Sequence, residues 1–207
     1  MLASVDPVDL ALVLALDGSA SVTFDEFNLM AGAMGAALRD PEVVAGLTRA
    51  GALGSLLLWS GSGAQEVLVG WTRIGSAEEA RAFADQVEAV PRIVRPGATA
   101  IGEALLAALA LLAHTQAAAR RRVVDVIGDG RSNEGIAPGP VRDRMVRAGV
   151  TINGLCVLHE EADLVESYTR EVIGGPGAFA LACADYPDFA AAMRRKLLRE
   201  ISNQPIA

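Results

Sequence analysis

Apolar residues run almost unbroken from Val8 to Leu16 and stop at Asp17-Gly18. A short Val- and Leu-rich run ending at a turn pair predicts a strand buried on both faces of a parallel sheet. Thr23 to Glu26 has capping-box spacing, and Phe24, Phe27, Met30, Met34 and Leu38 then recur at helical intervals up to Arg39. Pro41 to Arg49 reads as a short helical extension. Leu53 to Ser60 and Glu66 to Ile74 flank Gly61-Ser62-Gly63 and predict an antiparallel hairpin. A second capping box, Ser76 with Glu79, opens a helix to Val90. The next helix starts near Thr99, and its middle, Ala104 to Ala113, is apolar on every side, which predicts cover from the sheet and from other helices. Val123 to Gly128 reads as strand and is followed by a glycine- and proline-rich loop and a helix ending at Gly149. Val150 to Leu158 is strand, Ala162 to Ile173 helix and Ala178 to Cys183 strand. A last helix opens at Pro187 and carries the stripe Phe189, Met193, Leu197 and Ile201. This alternation specifies an α/β fold: a doubly wound, mostly parallel six-stranded sheet with one antiparallel edge strand and helices on both faces.

The 207 residues fit one domain spanning 1–207, and no internal repeat or low-complexity linker interrupts them. With 52% hydrophobic and only 4% aromatic residues, the core must be filled by Ala, Leu and Val. A net charge of -7 repels a phosphate backbone, so nucleic acid is not an expected partner. The longest apolar run is too short for the roughly 20 residues of a transmembrane helix, and the first residues lack a signal-peptide pattern. A cytoplasmic location is expected if Met1 is the native start, and a periplasmic or secreted one if an export signal precedes it. Cys156 and Cys183 lack metal-ligand spacing; two separate buried thiols are expected, although they fall on neighbouring strands where a bridge is conceivable.

In doubly wound sheets ligands bind beyond the carboxyl ends of the strands, where the strand order reverses. Asp17, Ser19 and Ser21 lie there at alternate positions after the first strand. Asp129 follows the fourth predicted strand, and inserting that strand beside the first would bring it to the same point. Thr99 tops the apolar helix, where its hydroxyl either caps the helix or turns to the site. Hydroxyls and carboxylates without thiolate or imidazole suit a hard dication, Mg²⁺ above all, and disfavour zinc.

The D-x-S-x-S run at Asp17, Thr99 in Gly97-Ala98-Thr99-Ala100-Ile101, and Asp129-Gly130 together resemble the metal-ion-dependent adhesion site of von Willebrand factor type A (VWA) domains. More narrowly, the segments 37–43, 128–135, 151–155 and 172–179 resemble a bacterial VWA-like family of unknown function, DUF1194. The resemblance implies direct ligation of Mg²⁺, Mn²⁺ or Ca²⁺ by Ser19 and Ser21. It implies direct or water-mediated roles for Thr99 and Asp129, and a mostly water-mediated role for Asp17. It also implies a protein partner that supplies an Asp or Glu carboxylate to the ion, and no enzymatic activity. Gly128 stands where many members of the wider family have Thr, a difference expected to matter little.

Two other readings compete. A Mg²⁺-dependent phosphohydrolase of haloacid dehalogenase type also uses a first-strand Asp and a later Gly-Asp-Gly, but it needs an acid two positions after the first Asp. Here Ser19, a poor proton donor, stands there, and Lys196 is the only lysine. The other is a VWA-like domain that keeps the site without using it. Asp125 lies about 13 Å before Asp129 along its strand, so it is expected to serve a structural ion pair or hydrogen bond. His114 and His159 are isolated and read as structural, and Arg120 to Arg122, Arg194, Arg195, Lys196 and Arg199 read as solvated positive faces.

Overall fold

β1 (Val8–Asp17) turns Leu10, Leu12, Leu14 and Leu16 to one side and Ala11, Val13 and Ala15 to the other, and all seven are buried. A strand that is apolar on both sides needs cover on both sides, and β1 accordingly lies in the interior of the sheet. The structure, a computed structural model, describes residues 7–115, 117–159 and 161–202. The other strands are β2 (Ala52–Trp59), β3 (Gln65–Ile74), β4 (Ala119–Gly128), β5 (Val150–Val157) and β6 (Ala180–Cys183). They form a sheet in the order β3-β2-β1-β4-β5-β6, parallel throughout except for the β2–β3 pair. The fold is therefore the mostly parallel α/β sheet that the alternation predicts, with the antiparallel strand at one edge.

Helices α1 (Phe24–Leu38), α2 (Pro41–Ala50), α3 (Ala77–Glu88) and α7 (Phe189–Ser202) cover one face. α4 (Ile101–Ala113), α5 (Pro138–Arg147) and α6 (Leu164–Glu171) cover the other. The chain leaves β1 towards β2 and later returns to β4 on the opposite side of β1, so the strand order reverses between β1 and β4. Level with Leu16 in β1 is Ile127 in β4, so both strands end together at that crevice. Among the described residues no helix is long and apolar enough to cross a membrane.

Local rules account for most boundaries, and the departures are informative. Thr23 and Glu26 form the reciprocal capping box that starts α1. At α3 only half of the second box forms: Ser76 accepts from the Glu79 N–H, while the Glu79 carboxylate takes the Gly75 N–H at 2.6 Å instead. The apolar middle of α4 is not covered on every side, because Leu106, Ala107, Leu109 and Leu111 are half-buried and Ala110 is exposed.

The three consecutive arginines lie in β4, which begins at Ala119; Arg120 is solvent-exposed as expected, but Arg121 and Arg122 are half-buried. There Arg121 donates to Asp9 and to the Glu200 carbonyl. Lys196 is not solvated. It is fully buried and bridges Asp125 of β4 to Glu200 of its own helix, which supplies the partner that Asp125 requires. Cys156 and Cys183 are both free and buried. Register pairs Cys183 with Val157, so Cys156, one position earlier, faces the α4–α6 side while Cys183 faces the α1–α7 side.

Candidate metal centre

Asp17 ends β1 and is fully buried; its Oδ1 accepts the Ser19 N–H at 2.7 Å, a tight turn that brings the chain back over the strand end. Ser19 is buried too, and its Oγ lies 3.1 Å from Oγ of the half-buried Ser21. Ser21 Oγ in turn donates to Asp129 Oδ1 at 2.6 Å, across the crevice between β1 and β4. A continuous chain of oxygen atoms thus links Ser19, Ser21 and Asp129. Asp17 is joined to it through the Ser19 backbone.

Thr99 does not cap α4. The N-cap is Ala100, without a side-chain hydrogen bond, so the capping alternative falls. Asn133 holds Thr99 instead, accepting from the Thr99 N–H at 2.8 Å and donating its own N–H to the Thr99 carbonyl at 3.0 Å. Ser132 Oγ adds a second donor to that carbonyl. The Thr99 hydroxyl lies beside Gly130, where an added Cβ would be 3.7 Å from it. Among the described residues it has no hydrogen-bond partner.

The three loops are tied to one another mainly through the backbone. Ala20 donates to the Gly97 carbonyl, Gly97 to Ser60 Oγ, and Arg92 Nη2 to the carbonyls of Gly18 and Ser19. The loop after β4 is fixed by Glu103, which accepts the Ile136 N–H, and by Glu134, which accepts the Ser62 N–H. These bonds leave the side-chain oxygens as the variable layer on a fixed frame.

Two tyrosines complete the surroundings. Tyr186, in the loop before α7, donates to Asp129 Oδ2 at 3.0 Å. Burial and the neighbouring Asp129 charge push its phenol up, so it stays a donor. Tyr168 of α6 is buried with its hydroxyl unpartnered. A Cβ on Gly128 would come within 2.7 Å of Asp17 Oδ2 and 3.0 Å of Tyr168 Oη. In this chain the Asp17 carboxylate and the phenol occupy the space that a side chain at 128 would take. Neither tyrosine carries a sequence signal that links it to the site, whereas Asn133 and Glu134 fall inside one of the segments singled out above.

Asp17 is the site carboxylate whose pKa is clearly raised. Burial and the Asp129 charge push its carboxyl up to about 7, against the pull of the Ser19 hydrogen bonds. Its Oδ2 is buried with no hydrogen-bond partner. A buried carboxylate oxygen left unpaired is costly, and a cation beside it would remove that cost. Two carboxylates and three hydroxyls form an oxygen-only set that suits a hard dication keeping some of its waters. Among the described residues, no three His, Cys, Asp or Glu side chains cluster to hold a metal without hydroxyl help.

Solved structures with the same fold are similar at low identity. Proximal thread matrix protein 1 from the mussel byssus, solved with a zinc-occupied MIDAS (metal-ion-dependent adhesion site) motif, superposes with a TM-score of 0.70 at 16% identity. The match covers 95% of this chain and 48% of that one, so the present chain spans about half the length of that relative. The von Willebrand factor type A structure from Catenulispora acidiphila gives 0.63 at 15% identity, covering 94% and 43% of the two chains. The vWF domain of the type V pili tip protein Mfa5 from Porphyromonas gingivalis gives 0.64 at 11% identity and covers 97% of each. No curated protein sequence matches the chain. The fold is VWA-like, and residues 7–205 match the family described as protein of unknown function (DUF1194), to which this chain belongs.

Proposed function

We propose that the chain is a single VWA-like domain over residues 1–207 that binds a divalent cation through Asp17, Ser19, Ser21, Thr99 and Asp129, and that it uses the ion to recognise an Asp or Glu carboxylate of a protein partner. The observation that carries this reading is the oxygen chain from Ser19 through Ser21 to Asp129, set beside the unpartnered Oδ2 of Asp17. The zinc-occupied MIDAS of the mussel protein supports a divalent ion, and the oxygen-only donors favour Mg²⁺ or Mn²⁺, with Ca²⁺ next. A bound ion would supply positive charge and exchangeable coordination positions. Ser19, Ser21 and Thr99 would offer neutral hydroxyls, so the two carboxylates leave the ion able to attract a further anionic oxygen. A pilus adhesin and a pili tip protein among the structural matches support a protein partner and a location outside the cytoplasm.

A phosphohydrolase reading finds no comparable support. Ser19 is bonded to Asp17 through its backbone and to Ser21 through its hydroxyl, and the lone lysine is engaged by Asp125 and Glu200. Calorimetric titration of Mg²⁺, Mn²⁺ and Zn²⁺ into metal-depleted protein tests the site. The wild type should bind, and Ser19→Ala and Asp129→Ala should each lose at least tenfold in affinity; equal binding by all three would remove the reading. Once a partner is in hand, its capture should vanish with chelator, return with Mg²⁺, and fail when one partner carboxylate becomes an amide.

A further inference from the structure

At the end of the sheet away from Asp17 and Asp129, the first residues of β4 and β5 open a cavity of about 670 Å³. Its wall carries Arg120, Arg121, Arg122 and Arg199, with Phe179 and Glu200 beside them. Four guanidinium groups around one cavity are unexpected in a chain of net charge -7.

The local carboxylates do not neutralise them. Asp9 is shared, one oxygen to Arg120 and the other to Arg121 at 3.0 Å. Arg122 spends one Nη on the Ala148 carbonyl at the end of α5. Arg199 sits over the Phe179 ring, its Cζ 3.7 Å from the centroid, and its guanidinium makes no hydrogen bond or ion pair among the described residues. Glu200 is turned inward, where Oε1 accepts from Lys196 and from Asn153 Nδ2. Oε2 is buried without a partner, and so is Nε of Arg121.

Sheet geometry explains the crowding. Arg121, Val123 and Asp125 face the α7 side of β4 at alternate positions, as Thr151 and Asn153 do on β5, while Arg122 faces α5. The strand end therefore sends guanidinium groups around both sides of one opening. The glycines at 175 and 177, both at positive φ, bend the loop that forms its far wall.

Arg122 and Arg199 are half-buried and have no carboxylate counter-ion among the described residues, and guanidinium groups of that kind favour an oxyanion, which their planar forks bind in bidentate fashion. A volume of this size is in the range that holds small organic ligands. We propose that this cavity binds a small multivalent oxyanion, a phosphorylated or polycarboxylated molecule, gripped chiefly by Arg122 and Arg199. It is independent of the metal centre, since no residue is shared between them.

The test is calorimetric titration of pyrophosphate and, separately, of citrate into full-length protein, in buffer depleted of metal by a chelating resin and held at constant ionic strength with chloride. One of the two anions should bind and stabilise the protein, and the tighter one assigns the phosphate or the carboxylate class. Arg199→Gln should weaken binding about tenfold, which is about 1.4 kcal/mol. Arg199→Lys should fall between, because it keeps the charge and loses the fork, and Arg81→Gln on α3 should bind as wild type does. Arg122→Gln should act like Arg199→Gln. If it destabilises α5, Arg199→Gln decides alone, since that guanidinium holds no backbone group. Failure of both anions to bind beyond chloride, or binding to Arg199→Gln equal to wild type, overturns the proposal.

Discussion

Replacing Lys196 with Met removes the one cation that two buried carboxylates share. Asp125 is fully buried and Glu200 is 5% exposed, so neither can recover its lost partner by hydration. Burial works against the charged form of Lys196, yet Asp125 and Glu200 outweigh it and hold its pKa above the usual lysine value. Breaking one side of a buried ionic cluster costs about 3–5 kcal/mol, because the remaining charge stays desolvated and unpaired. For a chain of this length each kcal/mol moves Tm by about 2–4 °C, so Lys196→Met should melt about 6–20 °C lower. Urea unfolding followed by tryptophan fluorescence, with scanning calorimetry beside it, gives both quantities. A companion variant, Lys196→Met with Asp125→Leu and Glu200→Gln, should regain most of the loss. It leaves no charge behind, and the Gln carbonyl can still accept from Asn153. A loss below about 1 kcal/mol for the single variant, the scale of an exposed ion pair, would refute the reasoning. A companion no more stable than the single variant would refute it equally.

The same cluster sets a pH dependence: burial and the Asp125 charge hold the Glu200 carboxyl well above its ordinary value of 4.5. The native protein then keeps a proton that the unfolded chain has already lost, so its stability falls as pH rises above about 4.5. Urea midpoints measured across pH should show this fall in wild type and a flatter profile in Glu200→Gln. Gly128→Ala should cost about 1–3 kcal/mol by overpacking against Asp17 and Tyr168, and it should weaken metal binding in calorimetry in proportion to how far Asp17 is displaced. Thr23→Ala should lose about 1 kcal/mol through the cap of α1, read from the urea midpoint, and leave metal affinity unchanged.

The alternation of apolar runs and helical stripes is enough to specify the sheet, its antiparallel edge and the crevice between β1 and β4, because burial on two faces writes directly into composition. Side chains that pair across distant elements are harder to read. Lys196 illustrates the difference: three residues after Met193 and seven after Phe189, it falls on the buried stripe of α7, and Glu200 follows on the same face. Charge alone suggests solvent, while position in the stripe points inward, and an acid inside the apolar β4 calls for a cation from the facing helix. The candidate site divides in the same way. The turn chemistry of Asp17 to Ser21 and the end of β4 are local, and the two segments meet. The support from Tyr186, Tyr168 and Arg92 depends on how separate loops pack, which leaves no periodicity to find. Gly128 stands apart: the single atom it lacks matters only once Asp17 and Tyr168 are known to converge on it.

Ser21 and Asp129 are 108 positions apart, and the bond between them exists only because β4 docks against a strand made far earlier. The contact order of this corner of the molecule is therefore high, and closing it is among the slower events open to the chain. During synthesis the first strand and its serines leave the ribosome long before the residue that completes their hydrogen-bond chain. A C-terminal truncation anywhere between residues 22 and 128 keeps the D-x-S-x-S run and loses the constellation. The pairing of β1 with β4 thus converts an ordinary turn motif into a report that the central sheet has closed.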